Sequence, residues 1–264
     1  MLNHNGGLGR ILKFARSKAG TTQEQLAERV RVSTSLIAKF ETNRLIPKAD
    51  TARHLDAALD SGDLFQELAA EARTFIGEPP WMRPWLEHER NATMVRCFEP
   101  IVVPGLLQTP DYARCVLSDA GHRIVDLDEA VSGRLARADI LYRADNPCRL
   151  VAVVDEAVLR RPVGGPKVMA DQLHSIAQAC ARQTISVAVV PASVGAYPGI
   201  NGPLGIATVD GQSVAFLDGP LDGQVTEAPD RIAALEEVWE AIREYALPGR
   251  QSLELIMEVA ESWS

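Results

Sequence analysis

Apolar residues recur at helical spacing through the first seventy positions. Leu8, Ile11, Leu12 and Ala15 fall at i, i+3, i+4 and i+7, which predicts a first helix ended by Gly20. Leu26, Ala27 and Val30 mark a second helix, and Leu36, Ile37 and Phe40 a third. Thr22 is placed to cap the second helix, with Gln25 three residues on to close a capping box, and Ser33 is placed to cap the third. Pro47 then breaks the chain. Asp50 is the expected cap of a fourth helix carrying Leu55 and Leu59, and Ser61, Gly62 and Asp63 separate it from a fifth through Leu64, Phe65 and Leu68. Residues 1–7, with Asn3, Asn5 and two glycines, read as a loose arm.

The pattern breaks at residues 77–84, GEPPWMRP, where prolines too dense for a continuous helix predict a semi-rigid link. The link separates a domain at 1–76 from one at 85–264, and Trp81 and Trp85 are expected to pin the two together. Beyond it, residues 86–95 read as a helix, and Thr109 as the cap of another with Pro110 at its first position. Residues 150–154 and 185–190 are short apolar runs, hence strands. Between them Met169, Leu173, Ile176, Ala177 and Cys180 mark a helix, so a right-handed crossover and a parallel pair are expected. Residues 204–209 and 213–217, either side of Asp210-Gly211-Gln212, read as a hairpin. Two helices, 231–245 and 252–263, close the chain; the last presents Leu253, Leu255, Ile256, Val259 and Trp263 to the core or to a partner. The expected fold is an all-α five-helix domain followed by an α/β domain with a mixed sheet flanked by helices.

Charge divides along the same line. Over the first 60 of the 264 residues, ten Lys and Arg face six Asp and Glu, a net +4, which leaves −12 for the rest of a chain at −8. A basic head on an acidic body confines phosphate attraction to the head. What the third helix leaves outward is Thr34, Ser35, Ala38 and Lys39. A helix faced with small, polar and basic side chains fits a major groove about 12 Å wide.

These residues carry a resemblance. Thr22-Gln23-Glu24-Gln25-Leu26-Ala27, then Val32-Ser33-Thr34-Ser35-Leu36-Ile37, then Glu41, Asn43 and Arg44 are similar to the helix-turn-helix of the lambda-repressor, or XRE, family. The resemblance implies a lambda-repressor-like five-helix domain that binds double-stranded operator DNA. It implies Gln23 against a phosphate, Ser33, Thr34, Ser35 and Lys39 toward bases or backbone, and Asn43 and Arg44 on the backbone beyond. Arg16 and Glu41 match the family's structural ion pair. One departure stands out: Arg31 occupies the turn position where the family usually has glycine, so a left-handed residue there would carry strain on the order of 1 kcal/mol. In the second half, three stretches, 103–113, 155–166 and 252–256, resemble the C-terminal domain of actinobacterial regulators of the WhiJ-like type. That likeness implies a transcription regulator, often working with a small companion protein encoded nearby.

Catalytic patterns are weak by comparison. Gly164-Gly165-Pro166-Lys167 lacks the phosphate-loop frame, and Pro166 removes a backbone donor. His4, His54, His88, His122 and His174 show no metal-ligand spacing, no G-x-S-x-G elbow occurs, and Cys97, Cys115, Cys148 and Cys180 form no C-x-x-C pair. No enzyme, metal or cofactor is therefore expected. Without a long apolar stretch or a leader-like start, a cytoplasmic protein with no membrane partner is expected. A homodimer is expected because one short recognition helix reads few base pairs. For the signal two readings stay open. One is the companion protein. The other is a small-molecule effector held where strand ends meet, near Glu156, Arg160, Arg161 and Tyr197.

Overall fold

The computed structural model describes residues 7–73, 78, 80–119, 126–219 and 222–264; of the expected arm at 1–7 only Gly7 is among them, as the first residue of a helix, and Gly77 and Pro79 lie outside them. The chain divides into two compact units, residues 1–76 and 77–264.

The first unit is helical. α1 (Gly7–Lys18), α2 (Gln23–Val30), α3 (Thr34–Glu41), α4 (Ala49–Leu59) and α5 (Leu64–Arg73) follow one another closely. Leu12, Leu26, Ile37, Leu55 and Phe65 are fully buried in one core, with Phe40 beside them. The capping box at Thr22 forms as the sequence requires, Gln25 N–H to the Thr22 hydroxyl and Thr22 N–H to the Gln25 side-chain Oε1. Ser33 accepts from Leu36 N–H and caps α3. Asp50 does not cap α4. The cap position is Lys48, without a side-chain bond, while Asp50 sits in the first turn and pairs with Arg53. The acid that caps is Asp56, buried within α4. Its carboxylate accepts from Phe65 N–H at 2.8 Å and Gln66 N–H at 3.0 Å, satisfying the open donors at the start of α5.

The second unit is built on one mixed sheet. Its strands are β1 (Met94–Glu99), β2 (Arg149–Asp155), β3 (Ile185–Val190), β4 (Leu204–Val209), β5 (Gln212–Leu217) and β6 (Gln224–Thr226), in the order β3-β2-β1-β4-β5-β6. β1, β2 and β3 run parallel, and β4, β5 and β6 continue antiparallel from β1. The helices are α6 (Arg83–Asn91), α7 (Pro110–Asp119), α8 (Leu127–Ala136), α9 (Glu156–Arg160), α10 (Pro166–Ala179), α11 (Pro229–Arg243) and α12 (Gly249–Ser262). Phe98, Val153, Ile206 and Ala215 from four strands pack under Trp239 and Ile242 of α11. α12 lays its apolar side on α10 and β3, so the core owns that face.

Several expectations are corrected here. The helix read at 86–95 ends at Asn91, and Met94 onward is β1, the strand on which the sheet pivots. Trp85 is part of the second unit's own core, 4 % exposed, stacked on Phe216 at 5.5 Å and pressed against Gly205. Pro80–Met82 form a 3-10 turn that leads straight into α6, so the later part of the prolines' stretch is helical. The β4–β5 hairpin closes through Asp210 and Gly211 alone, both at positive φ, and Gln212 already pairs with Val209.

Candidate nucleic-acid interface

α2 and α3 are joined by three residues, 31–33. Arg31 is left-handed at φ 60° and ψ 44°, and its N–H with that of Val32 returns to the carbonyls of Ala27 and Glu28. This closing of α2 ends the helix so that α3 can begin after only three residues. Strain on a non-glycine residue in this region is about 1 kcal/mol or more, while glycine would loosen the unfolded chain by a somewhat smaller amount. Arg31→Gly is therefore expected to raise the first unit's stability by about 0.5 to 1 kcal/mol in urea unfolding. A loss of stability instead would mean that the exposed Arg31 side chain holds something the strain conceals.

Beneath α3 lies the ion pair. Arg16 on α1 clasps Glu41, Nε to Oε1 at 2.5 Å and Nη2 to Oε2 at 3.2 Å, and also donates to the Thr21 carbonyl at 2.8 Å. Gln23 joins by donating its amide N–H to Glu41 Oε2 at 2.7 Å. Burial alone would raise the Glu41 carboxyl, but hydrogen bonds from Arg16 and Gln23, and the charges of Arg16 and Lys13, hold it below the usual carboxylate range. Two more residues tie α1 to the end of α3. Asn43, at φ 53°, accepts from Gly9 N–H at 2.9 Å. A Cβ on Gly9 would stand 2.6 Å from the carbonyl oxygens of Phe40 and Glu41, so only glycine allows that approach.

The residues singled out for DNA divide accordingly. Ser35, Lys39 and Arg44 are exposed and Thr34 half-exposed along the outer side of α3 and the turn after it. Ser33 is exposed too, with its hydroxyl engaged in the cap. Gln23 and Asn43 each make an internal bond that the sequence did not announce, one to the ion pair and one to α1. The outward set is one cation, two hydroxyls and a second cation within about three turns, on a helix anchored from behind by a charged clasp.

The residues expected to hold an effector in the second unit already have partners within the fold. Glu156 accepts from Arg160 Nε at 2.7 Å and from Ala192 N–H at 2.8 Å, and that backbone donor is the main reason its carboxyl lies below the usual range. Tyr197 donates to Asp155 at 2.6 Å, and burial with this acceptor raises the phenol above its ordinary value. Arg161 donates to the Ile101 carbonyl at 2.9 Å. Glu156, Arg160 and Arg161 line a shallow depression; Tyr197 is turned inward against Phe98.

Among the described residues no group of three or more metal-ligand side chains occurs, and no helix is long and apolar enough to cross a membrane. A family model described as a helix-turn-helix domain matches residues 9–68, and one described as a domain of unknown function, DUF5753, matches residues 82–258. No curated protein and no solved structure matches the chain.

Proposed function

Since the chain belongs to the DUF5753 family and carries a DNA-binding helix-turn-helix of the XRE type ahead of that domain, we propose that it is a sequence-specific transcriptional regulator whose activity the second unit sets. The observation that carries this reading is the outer side of α3, with Ser35, Lys39 and Thr34 open to a groove and the helix held by Arg16 and Glu41 from behind. The DNA-binding part is residues 1–76, and the regulator acts as a homodimer on half-sites about 34 to 36 Å apart or a multiple of that. The likeness to WhiJ-like regulators supports a small companion protein as the signal. A cavity in the second unit favours a small-molecule effector as the second reading.

Fluorescence anisotropy with the duplex upstream of its own coding sequence, and with a scrambled duplex, tests the proposal across a salt series. Lys39→Ala is expected to weaken both and to lower the salt slope by about 1. Thr34→Ala and Ser35→Ala are expected to cost about 1 to 3 kcal/mol per lost base contact on the cognate duplex only. Failure to bind any duplex at low salt overturns the regulator reading.

A further inference from the structure

β1 is the strand from which the sheet departs in both directions, β2 and β3 on one side and β4 to β6 on the other. In sheets of this kind the space outside the carboxyl end of such a strand is a natural ligand crevice. Here that end is Glu99, and a cavity of about 230 Å³ opens beside it. Trp85, Val103, Leu106, Leu117 and Phe216 give it apolar walls.

Its polar groups are charged and unequally matched. Arg134 and Arg137 both bind Glu78, at 2.5 and 3.0 Å, and Arg137 also grips Glu89 at 2.8 and 3.0 Å. Both guanidiniums are thus already engaged by carboxylates. Two further acids line the same space: Glu99, and Asp218 just after β5. The Glu99 carboxyl, half-buried at the cavity, forms no hydrogen bond among the described residues. A carboxyl partly withdrawn from water and without a partner is costly unless something supplies one. Glu78 and Glu89 are matched by the two guanidiniums, which leaves Glu99, half-buried, and Asp218, exposed at the rim, without a cation.

We propose that this cavity binds a small organic cation, an amine whose ammonium sits at Glu99 and Asp218 and whose apolar body lies against Trp85, Phe216 and Leu106. An anionic ligand would add negative charge to a set already in excess and would have to displace Glu78 or Glu89 from the arginines. Burial foremost, then the charge of Asp218, pushes the Glu99 carboxyl up to about 8, with Arg137 and Arg134 pulling the other way. The other ionisable groups around it are Glu78 and Glu89 with the arginines, and Cys97, whose thiol burial raises well above its usual value. At pH 7 Glu99 therefore holds a proton, which an arriving ammonium expels.

The inference builds on the second unit as the regulatory part. The test is isothermal titration calorimetry of the full chain at pH 7 with 2-phenylethylamine, hexylamine and tyramine, and with 2-phenylethanol and 3-phenylpropionate as neutral and anionic counterparts. At least one amine is expected to bind, the alcohol and the acid at least tenfold more weakly. Titration in buffers of different ionisation heat is expected to show close to one proton released. Glu99→Gln keeps the shape of the site, and is expected to lose tenfold or more in amine affinity and to abolish the proton release; Asp218→Asn, at the cavity's edge, is expected to weaken binding without abolishing the release. No binding by any of the three amines, equal amine binding by Glu99→Gln, or preference for the acid overturns the proposal. Duplex binding by the same preparation without amine separates the two readings: intact duplex binding with no amine binding sinks the ligand class alone.

Discussion

Arg137→Met is expected to cost the second unit about 3 to 5 kcal/mol, a large part of the stability a domain of this size holds. Arg137 lies in the 3-10 turn Arg137–Leu141 after α8 and is buried, with Glu89 on one edge of its guanidinium and Glu78 on the other. Burial by itself would lower the arginine's proton affinity; the two carboxylates more than reverse this, so it stays charged. Removing it leaves Glu89 with no cation and Glu78 with Arg134 alone. The same two charges hold the carboxyl of Glu78 below its usual range against burial. Methionine fills much of the volume, so the loss reports uncompensated charge more than a void. Urea unfolding of the full chain checks it. Adding Glu78→Gln and Glu89→Gln to the same protein is expected to restore part of the loss, and a single-variant loss under 1 kcal/mol would show the cluster to be well solvated.

This cluster also marks where the chain's pattern is silent. Helical spacing and caps identify α1 to α5 because each signal is local: Thr22 and Gln25 are three residues apart, Ser33 and Leu36 likewise. Glu78, Glu89, Arg134 and Arg137 are drawn together from three separate stretches, and nothing near any of them in the chain distinguishes it from a solvated surface charge. β1 was misread for a related reason. Its buried residues, Val95 and Phe98, are three apart because they lie on opposite faces, Val95 with Cys97 and Glu99 at the cavity and Phe98 under α11, so the strand imitates the end of the preceding helix. Gln172 shows the same limit: fully buried on α10, it accepts from Thr109 N–H and donates to the Leu107 carbonyl, fixing the turn before α7 from 63 and 65 residues away. On α3 the local pattern reaches further. The outward set on α3 follows from helix phase, whereas the internal bonds of Gln23 and Asn43 depend on how α1 crosses behind it.

Glu41→Ala is expected to be the most damaging single change in the first unit, at about 3 kcal/mol or more. The carboxylate is only 3 % exposed and answers two donors, so its loss strands the Arg16 guanidinium and the Gln23 amide under α3 together. In the wild type Arg16 is held above its ordinary value first by the Glu41 hydrogen bond, against burial; that support goes with Glu41, but a guanidinium keeps its proton at neutral pH regardless and cannot discharge to escape. Because the folded-state value of Glu41 is depressed, its contribution is present above the ordinary carboxylate range and is lost as pH falls through the lower folded value. Stability of the wild-type unit should therefore decline between about pH 4.5 and the acid side of it, and that slope should be shallower in Glu41→Ala. The pairing Arg16→Met with Glu41→Leu removes both charges and is expected to recover most of the stability, because replacing a buried pair by apolar groups is often neutral. Duplex binding then separates two roles for the clasp. If the double variant folds and binds as before, the ion pair serves to hold α3. If it folds but loses affinity for cognate and scrambled duplex alike, Arg16 contributes its charge to the phosphates as well.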